Sequence, residues 1–186
     1  LLLGMLLGDG CLKPKHHIKL DGNPSTYYEY VLCHSVKQKE YIEYKLQLFH
    51  SIVGGKLPKL HYEKNKLGES LRFSRCHKYF RLLHRVLYSN NNKKLFTKLV
   101  LSRLNPHTLA IWYMDDGCLS MNPSRKSYEM RICTYFTENE ADLCVDYFIP
   151  LGELPLRKEG IKRGTNLTSS LTQQSPKSLK LLLKNM

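Results

Sequence analysis

Two aspartates, Asp9 and Asp116, occupy the same place in two copies of one local pattern. Residues 2–10 read Leu-Leu-Gly-Met-Leu-Leu-Gly-Asp-Gly, and residues 109–117 read Leu-Ala-Ile-Trp-Tyr-Met-Asp-Asp-Gly. Cys-Leu follows each, as Cys11-Leu12 and Cys118-Leu119. Each apolar run makes about two helical turns. A carboxylate at such a helix end is disfavoured by the partial negative charge of the C-terminus. Two of them brought side by side also repel. A divalent cation relieves both penalties, and carboxylate, water and phosphate oxygens form the ligand set that suits Mg²⁺. Asp-Gly is also a common turn dipeptide, which is the plain reading of a single copy. Two copies closing matching helices point instead to Asp9 and Asp116 as metal-binding acids.

The glycines say how those acids are positioned. Gly10 and Gly117 are expected as helix C-caps with φ > 0. Gly4 and Gly8, four residues apart, open one helix face to close backbone approach, and glycine inside a short helix asks for such a reason. Internal similarity over this distance predicts a duplicated unit, with the two motif helices related by a pseudo-twofold axis.

These segments resemble the paired motifs of the LAGLIDADG homing endonucleases in their single-chain, two-motif form. The second copy is the more specific. The first resembles the family through its glycines and its Gly-Asp-Gly ending, with Leu7 where many members have another acid. The stretch from Asn90-Asn91-Asn92-Lys93-Lys94 to Asn105-Pro106-His107 is also similar to members of this group. The resemblance places Asp9 and Asp116 on the family's catalytic acidic position and matches Lys94 to its basic residue. It implies metal-dependent cleavage of both DNA strands across the minor groove, leaving short 3′ overhangs. Lys94 also reads simply as a solvated lysine in an Asn-rich loop. No second basic residue matching Lys94 is seen, and the second half reads as shorter than the first, as in a fragment or truncated frame.

Between the motifs the pattern predicts α-β-β-α-β-β-α, twice. In the first half, strands are expected at Cys11–Leu20 and Tyr27–His34 around a Gly22-Asn23-Pro24-Ser25 turn. A helix over Lys37–His50 carries Tyr41, Tyr44 and Leu48 on one stripe. A second hairpin runs Lys56–Lys64 and Glu69–Arg75, and a helix over His77–Tyr88 turns Phe80, Leu83 and Leu87 inward. In the second half, helix His107–Asp116 leads to strands Gly117–Met121 and Tyr128–Tyr135. Helix Glu138–Phe148 is capped by Thr137 with Glu140 at N3. Strands Glu153–Glu159 and Thr165–Gln173 and a helix over Pro176–Lys184 follow. The expected fold is α+β: two pseudo-symmetric αββαββα units, 1–104 and 105–186, packed through their motif helices. Their antiparallel sheets would form a DNA-binding saddle.

Charge selects the partner. The chain carries 29 Lys and Arg against 16 Asp and Glu, a net +13, which calls for a polyanion. Lys13, Lys15, His17 and Lys19 alternate along one strand. Lys56, Lys59, His61, Lys64, Arg72 and Arg75 decorate the next hairpin. Arg125, Lys126, Arg131, Arg157, Lys158, Lys162 and Arg163 do so in the second half, with Gln173 and Gln174 able to read bases. A two-stranded ribbon fits the major groove, cations on phosphate supply affinity, and base contacts supply specificity. Strand lysines also guard exposed edges against aggregation. Six cysteines without a Cys-x-x-Cys pair argue against a zinc ribbon and read mostly as reduced core residues. No apolar run is long enough to span a bilayer, and Leu1–Leu7 lacks the basic flank of a signal peptide.

The function expected is site-specific endonuclease action on double-stranded DNA with Mg²⁺, by a monomer. The alternative is a non-cleaving splicing maturase or splicing factor that binds its own intron RNA on the same scaffold. A regulator on this fold needs a separate helix-turn-helix, which is not found. An intact intein needs terminal residues that are absent. The expected setting is intracellular: a mitochondrion or chloroplast, or a bacterial or phage cytoplasm.

Overall fold

The computed structural model describes residues 1–66, 68–122, 127–148, 156–161 and 164–172. The chain divides into two compact units, Leu1–Lys93 and Lys94–Met186. The first holds α1 (Leu2–Leu7), β1 (Cys11–Ile18), β2 (Pro24–Ser35), a 3₁₀ turn (Val36–Gln38), α2 (Lys39–Val53), β3 (His61–Asn65), β4 (Gly68–Cys76) and α3 (Phe80–Leu87). The second holds α4 (Lys98–Leu101), α5 (Pro106–Asp116), β5 (Gly117–Asn122), β6 (Ser127–Phe136), α6 (Glu138–Phe148), β7 (Leu156–Ile161) and β8 (Gly164–Thr172). Each unit has one four-stranded antiparallel sheet, ordered β1-β2-β4-β3 and β5-β6-β8-β7. The fold is α+β, and the two sheet orders are the same when counted from each motif helix. The expected helix over 176–184 lies outside the described residues. No helix among the described residues is long and apolar enough to cross a membrane.

The first core forms because β2 alternates. Tyr30, Leu32 and His34 are buried on one face with Leu12 and Phe73 of the neighbouring strands. Phe49 of α2 and Phe80 of α3 close over them, with ring centroids of Tyr30 and Phe49 4.6 Å apart and those of Phe49 and Phe73 5.5 Å apart. Such offset and edge contacts add to the burial of area. The inner stripe of α2 is Ile42, Lys45, Leu46 and Phe49. The expected stripe was rotated from this one: Tyr44 is 52% exposed. The helix starts two residues later than expected, after the 3₁₀ turn, and that shifts which side chains the sheet receives.

In the second unit Phe96, Trp112 and Phe136 make the aromatic cluster, with Phe96 5.1 Å from Trp112 and 4.3 Å from Phe136. Phe96, Val100 and Leu101 are buried there, so the segment ahead of α5 belongs to the second unit rather than to the first. Helix α6 begins with a complete capping box. The Glu140 carboxylate accepts from the Thr137 N–H (2.9 Å) and hydroxyl (2.8 Å), and the Thr137 hydroxyl accepts from the Glu140 N–H (3.3 Å). Its other oxygen accepts from the Phe96 N–H at 3.2 Å, which ties the α5 approach to α6.

The cysteines do not follow the core expectation. Of those described, Cys144 is buried, Cys11 is intermediate, and Cys33, Cys76 and Cys118 are exposed. Cys33 and Cys76 stand on strand positions whose side chains point away from the helices, beside Arg72 and Glu29.

Candidate active site and nucleic-acid interface

The first motif helix ends earlier than its sequence pattern suggests. Helix α1 stops at Leu7, Gly8 caps it with φ −80°, and Asp9 sits in the turn that follows. Gly10 does not take a positive φ, and neither does Gly117. The expected left-handed cap is therefore wrong for both. The glycines answer a steric demand instead. The Gly10 N–H donates to the Met5 carbonyl at 2.8 Å, and a Cβ at Gly10 would stand 2.5 Å from that oxygen. A Cβ at Gly117 would stand 2.2 Å from the Tyr113 carbonyl oxygen. In each copy the strand leaves so tightly against the last helical turn that only glycine fits.

Each acid lies beside a ring nitrogen of its own unit. The Asp9 carboxylate, 39% exposed, lies 3.5 Å from Nδ1 of His34, whose side chain is 3% exposed. His34 also faces Gln38 Oε1 at 3.2 Å. In the second motif the indole N–H of Trp112 donates to Asp116 Oδ2 at 3.2 Å, one helical turn along α5. Trp112 is itself 1% exposed, so its ring cannot swing away. Buried rings orienting partly exposed carboxylates resemble the supporting partners that aim metal ligands. The donor chemistry fits a hard divalent cation: carboxylate oxygens with room for water. His34 and Gln38 were missed by the sequence reading, as was the role of Trp112. His34 was visible as the last member of the Tyr28-Tyr30-Leu32-His34 alternation, on the face that packs inward.

Lys94 is partly buried. The preceding loop is closed by the Ser89 N–H on the Lys93 carbonyl (2.8 Å) and by the Lys93 N–H on the Ser89 hydroxyl (3.2 Å). His84 and Asn92 meet at 3.1 Å. The Tyr88 hydroxyl accepts from the Leu12 N–H at 3.0 Å, fixing the end of α3 to the strand that follows Asp9. Burial pushes the Tyr88 phenol up to about 12, so it stays a neutral partner.

Register sorts the basic residues. Lys13, Lys15 and His17 share the face of the first sheet turned from the helices, in rows with Glu29, Tyr27 and Ser25. Arg72 and His61 pair on that same face, beside Cys33. Glu29 accepts from Ser74 at 2.7 Å and faces Lys15 at 3.4 Å and Arg72 at 4.0 Å; Glu63 holds Arg72 at 3.1 Å. Arg75 is a correction. It lies in the row of Tyr30, on the helix side, and its guanidinium donates to the Lys56 carbonyl. Lys64 shares the helix side and pairs with Glu69 at 3.0 Å. Lys19 follows β1 in its turn, and Lys56 and Lys59 precede β3 in a loop, because the strand begins only at His61.

In the second sheet Cys118, Arg131, Thr168 and Arg157 form one cross-strand row. Lys158 falls in the adjacent row, with Leu167 and Ile132. Arg157 and Lys158 thus hold successive register positions on β7, where the sequence reading grouped them in one set. Arg125, Lys162, Arg163 and Gln173 lie outside the described residues.

The family model of the LAGLIDADG DNA endonucleases matches residues 1–152. The chain belongs to that family. LAGLIDADG nucleases are in general divalent-metal dependent. Among solved structures, the homing endonuclease I-WcaI bound to its DNA recognition sequence is similar at TM-score 0.72 and 22% identity, over 99% of this chain and 79% of that one. I-LtrWI, a LAGLIDADG homing endonuclease bound to target DNA, is similar at TM-score 0.57 and 14% identity, over 99% and 80%. At these identities the likeness is one of fold. A probable intron-encoded endonuclease of Wickerhamomyces canadensis is 33% identical over 62% of this chain and 48% of its own length. Protein RecA of Mycobacterium shimoidei is 33% identical over 64% of this chain and 26% of its own length. The chain thus spans about a quarter of that relative and under half of the other. No Gly-x-x-x-x-Gly-Lys-Ser/Thr phosphate loop occurs in the sequence.

Proposed function

We propose that this LAGLIDADG chain is a site-specific endonuclease that makes a Mg²⁺-dependent double-strand break in DNA. The observation that carries the reading is the repeated placement of Asp9 and Asp116, each just ahead of a sterically tight glycine and each beside one buried ring nitrogen. Asp9 and Asp116 would hold the metal. When bound, a divalent cation supplies an activated water and neutralises charge developing on the phosphate. His34 and Trp112 keep the carboxylates aimed, so that little reorganisation is left for the reaction. Lys94 supplies a positive charge near the reacting phosphate. Lys13, Lys15, His17, His61 and Arg72 meet the DNA backbone and base edges from the helix-free face of the first sheet, and Arg131 and Arg157 from one row of the second.

The splicing-maturase reading is not favoured. The family is one of DNA endonucleases and the relative is named a probable intron-encoded endonuclease, and a protein that only binds RNA has no use for two oriented acids. The test is incubation with DNA carrying the intron-insertion site, with Mg²⁺ and then with EDTA. Linearised product with Mg²⁺ and none with EDTA is expected. Retention of intact DNA under both conditions, with tight binding, would return the chain to a binding role.

A further inference from the structure

Behind His34, on the side away from Asp9, lies a buried lysine. Lys45 sits on the inner stripe of α2 and is 0% exposed. Its Nζ stands 3.2 Å from His34 Nε2 and 4.5 Å from the centre of the Tyr41 ring. Lysine is almost never fully buried, and taking an ammonium out of water is costly. Its neighbours Ile42, Leu46 and Phe49 are apolar, so a methionine would fill the same place without that cost.

The ammonium has three donors and no acceptor. The imidazole nitrogen facing it must therefore carry a lone pair, and in a neutral ring the proton is then on Nδ1. Nδ1 is the atom that faces Asp9 and Gln38. We infer that Lys45 is a positioning residue: its buried ammonium holds His34 in the Nδ1–H tautomer, so that the ring presents a donor to the Asp9 carboxylate. The other ring nitrogen's partner commonly sets the tautomer of a functional histidine. The second motif needs no such device, because the indole N–H of Trp112 that reaches Asp116 is a donor in every state. One acid is thus aimed by a fixed donor, and the other by a ring whose proton has to be placed.

The consequence for cleavage rests on the function proposed above; the tautomer does not. The experiment is long-range ¹⁵N–¹H correlation spectroscopy of the histidine-labelled, metal-free protein. In the wild type, His34 should show a protonated Nδ1 and an unprotonated Nε2. In Lys45→Met the proton should move wholly or partly to Nε2. The cleavage rate should fall about 10–100-fold, as when other partners behind a metal ligand are lost, with DNA affinity within about twofold of wild type. A wild-type spectrum with the proton on Nε2 overturns the inference without any variant having to fold. So does a folded Lys45→Met protein that keeps the wild-type tautomer. If the wild type shows the expected tautomer but cuts no DNA, the positioning role stands and the endonuclease reading falls.

Discussion

Asp9 and Asp116 are equivalent by sequence, each ahead of a sterically tight glycine, yet each lies beside a different side chain. Replacing either with Asn keeps the shape and removes the charge that a cation needs. Each single variant is expected to lose more than about 100-fold in double-strand cleavage, since even partners one shell further out cost 10–100-fold. Binding to the same DNA should persist. A gel assay that resolves nicked from linear product checks this; a single variant that linearises DNA at the wild-type rate would detach that acid from the reaction. Gly10 and Gly117 make a second case at this scale. An alanine Cβ would meet a carbonyl oxygen at 2.5 and 2.2 Å, and backbone oxygens cannot turn aside. Gly10→Ala and Gly117→Ala should each destabilise by about 1–3 kcal/mol, read as a lower melting temperature. The glycines were legible in the sequence as necessary. The reason was not, because a φ > 0 cap and a close carbonyl demand the same residue. Cys144 shows burial acting on chemistry: burial pushes its thiol up to about 12. In alkylation with iodoacetamide at pH 8, the exposed Cys33, Cys76 and Cys118 should be modified first and Cys144 last, by mass mapping.

At the scale of elements, α6 and α2 show when a sequence pattern suffices. The box of Thr137 and Glu140 is local: cap and acid lie three residues apart, and the helix they start runs over Glu138–Phe148 as expected. Helix α2 lacks such a cap, and its start is set by the 3₁₀ turn that leads from β2. Without that turn the apolar positions admit two stripes, and the one with Tyr44 looked as good. The stripe chosen by the fold brings Lys45 inward, a choice that hydropathy alone argues against. The α6 box has one feature no pattern reveals, since Glu140 also serves the distant Phe96 N–H. Glu140→Ala should therefore cost more than an ordinary cap, about 1–3 kcal/mol. Glu138→Ala, in the same turn and exposed, should stay within about 0.5 kcal/mol. Equal melting temperatures for the two variants would mean that the Phe96 tie carries no energy.

For the whole molecule the net +13 announces a polyanion, but the charge count overstates the surface available to it. Register moves Arg75 and Lys64 off the face of the first sheet that carries Lys13 and Arg72. Glu29 and Glu63 occupy Lys15 and Arg72 on the helix-free face of the first sheet. Composition cannot show either effect, because both depend on which residues the ladder sets opposite one another. The salt dependence of DNA binding separates the two classes of cation. Log affinity falls with log salt by about 0.9 per phosphate neutralised. Lys13→Ala should lower that slope by about one contact and leave the melting temperature unchanged. Arg75→Gln should do the reverse: its guanidinium is spent on the Lys56 carbonyl, so stability should fall while the slope stays. Glu29→Gln should steepen the slope, since Lys15 and Arg72 no longer have to exchange one anion for another. A slope that drops for Arg75→Gln and holds for Lys13→Ala would mean that nucleic acid meets the other side of the sheet.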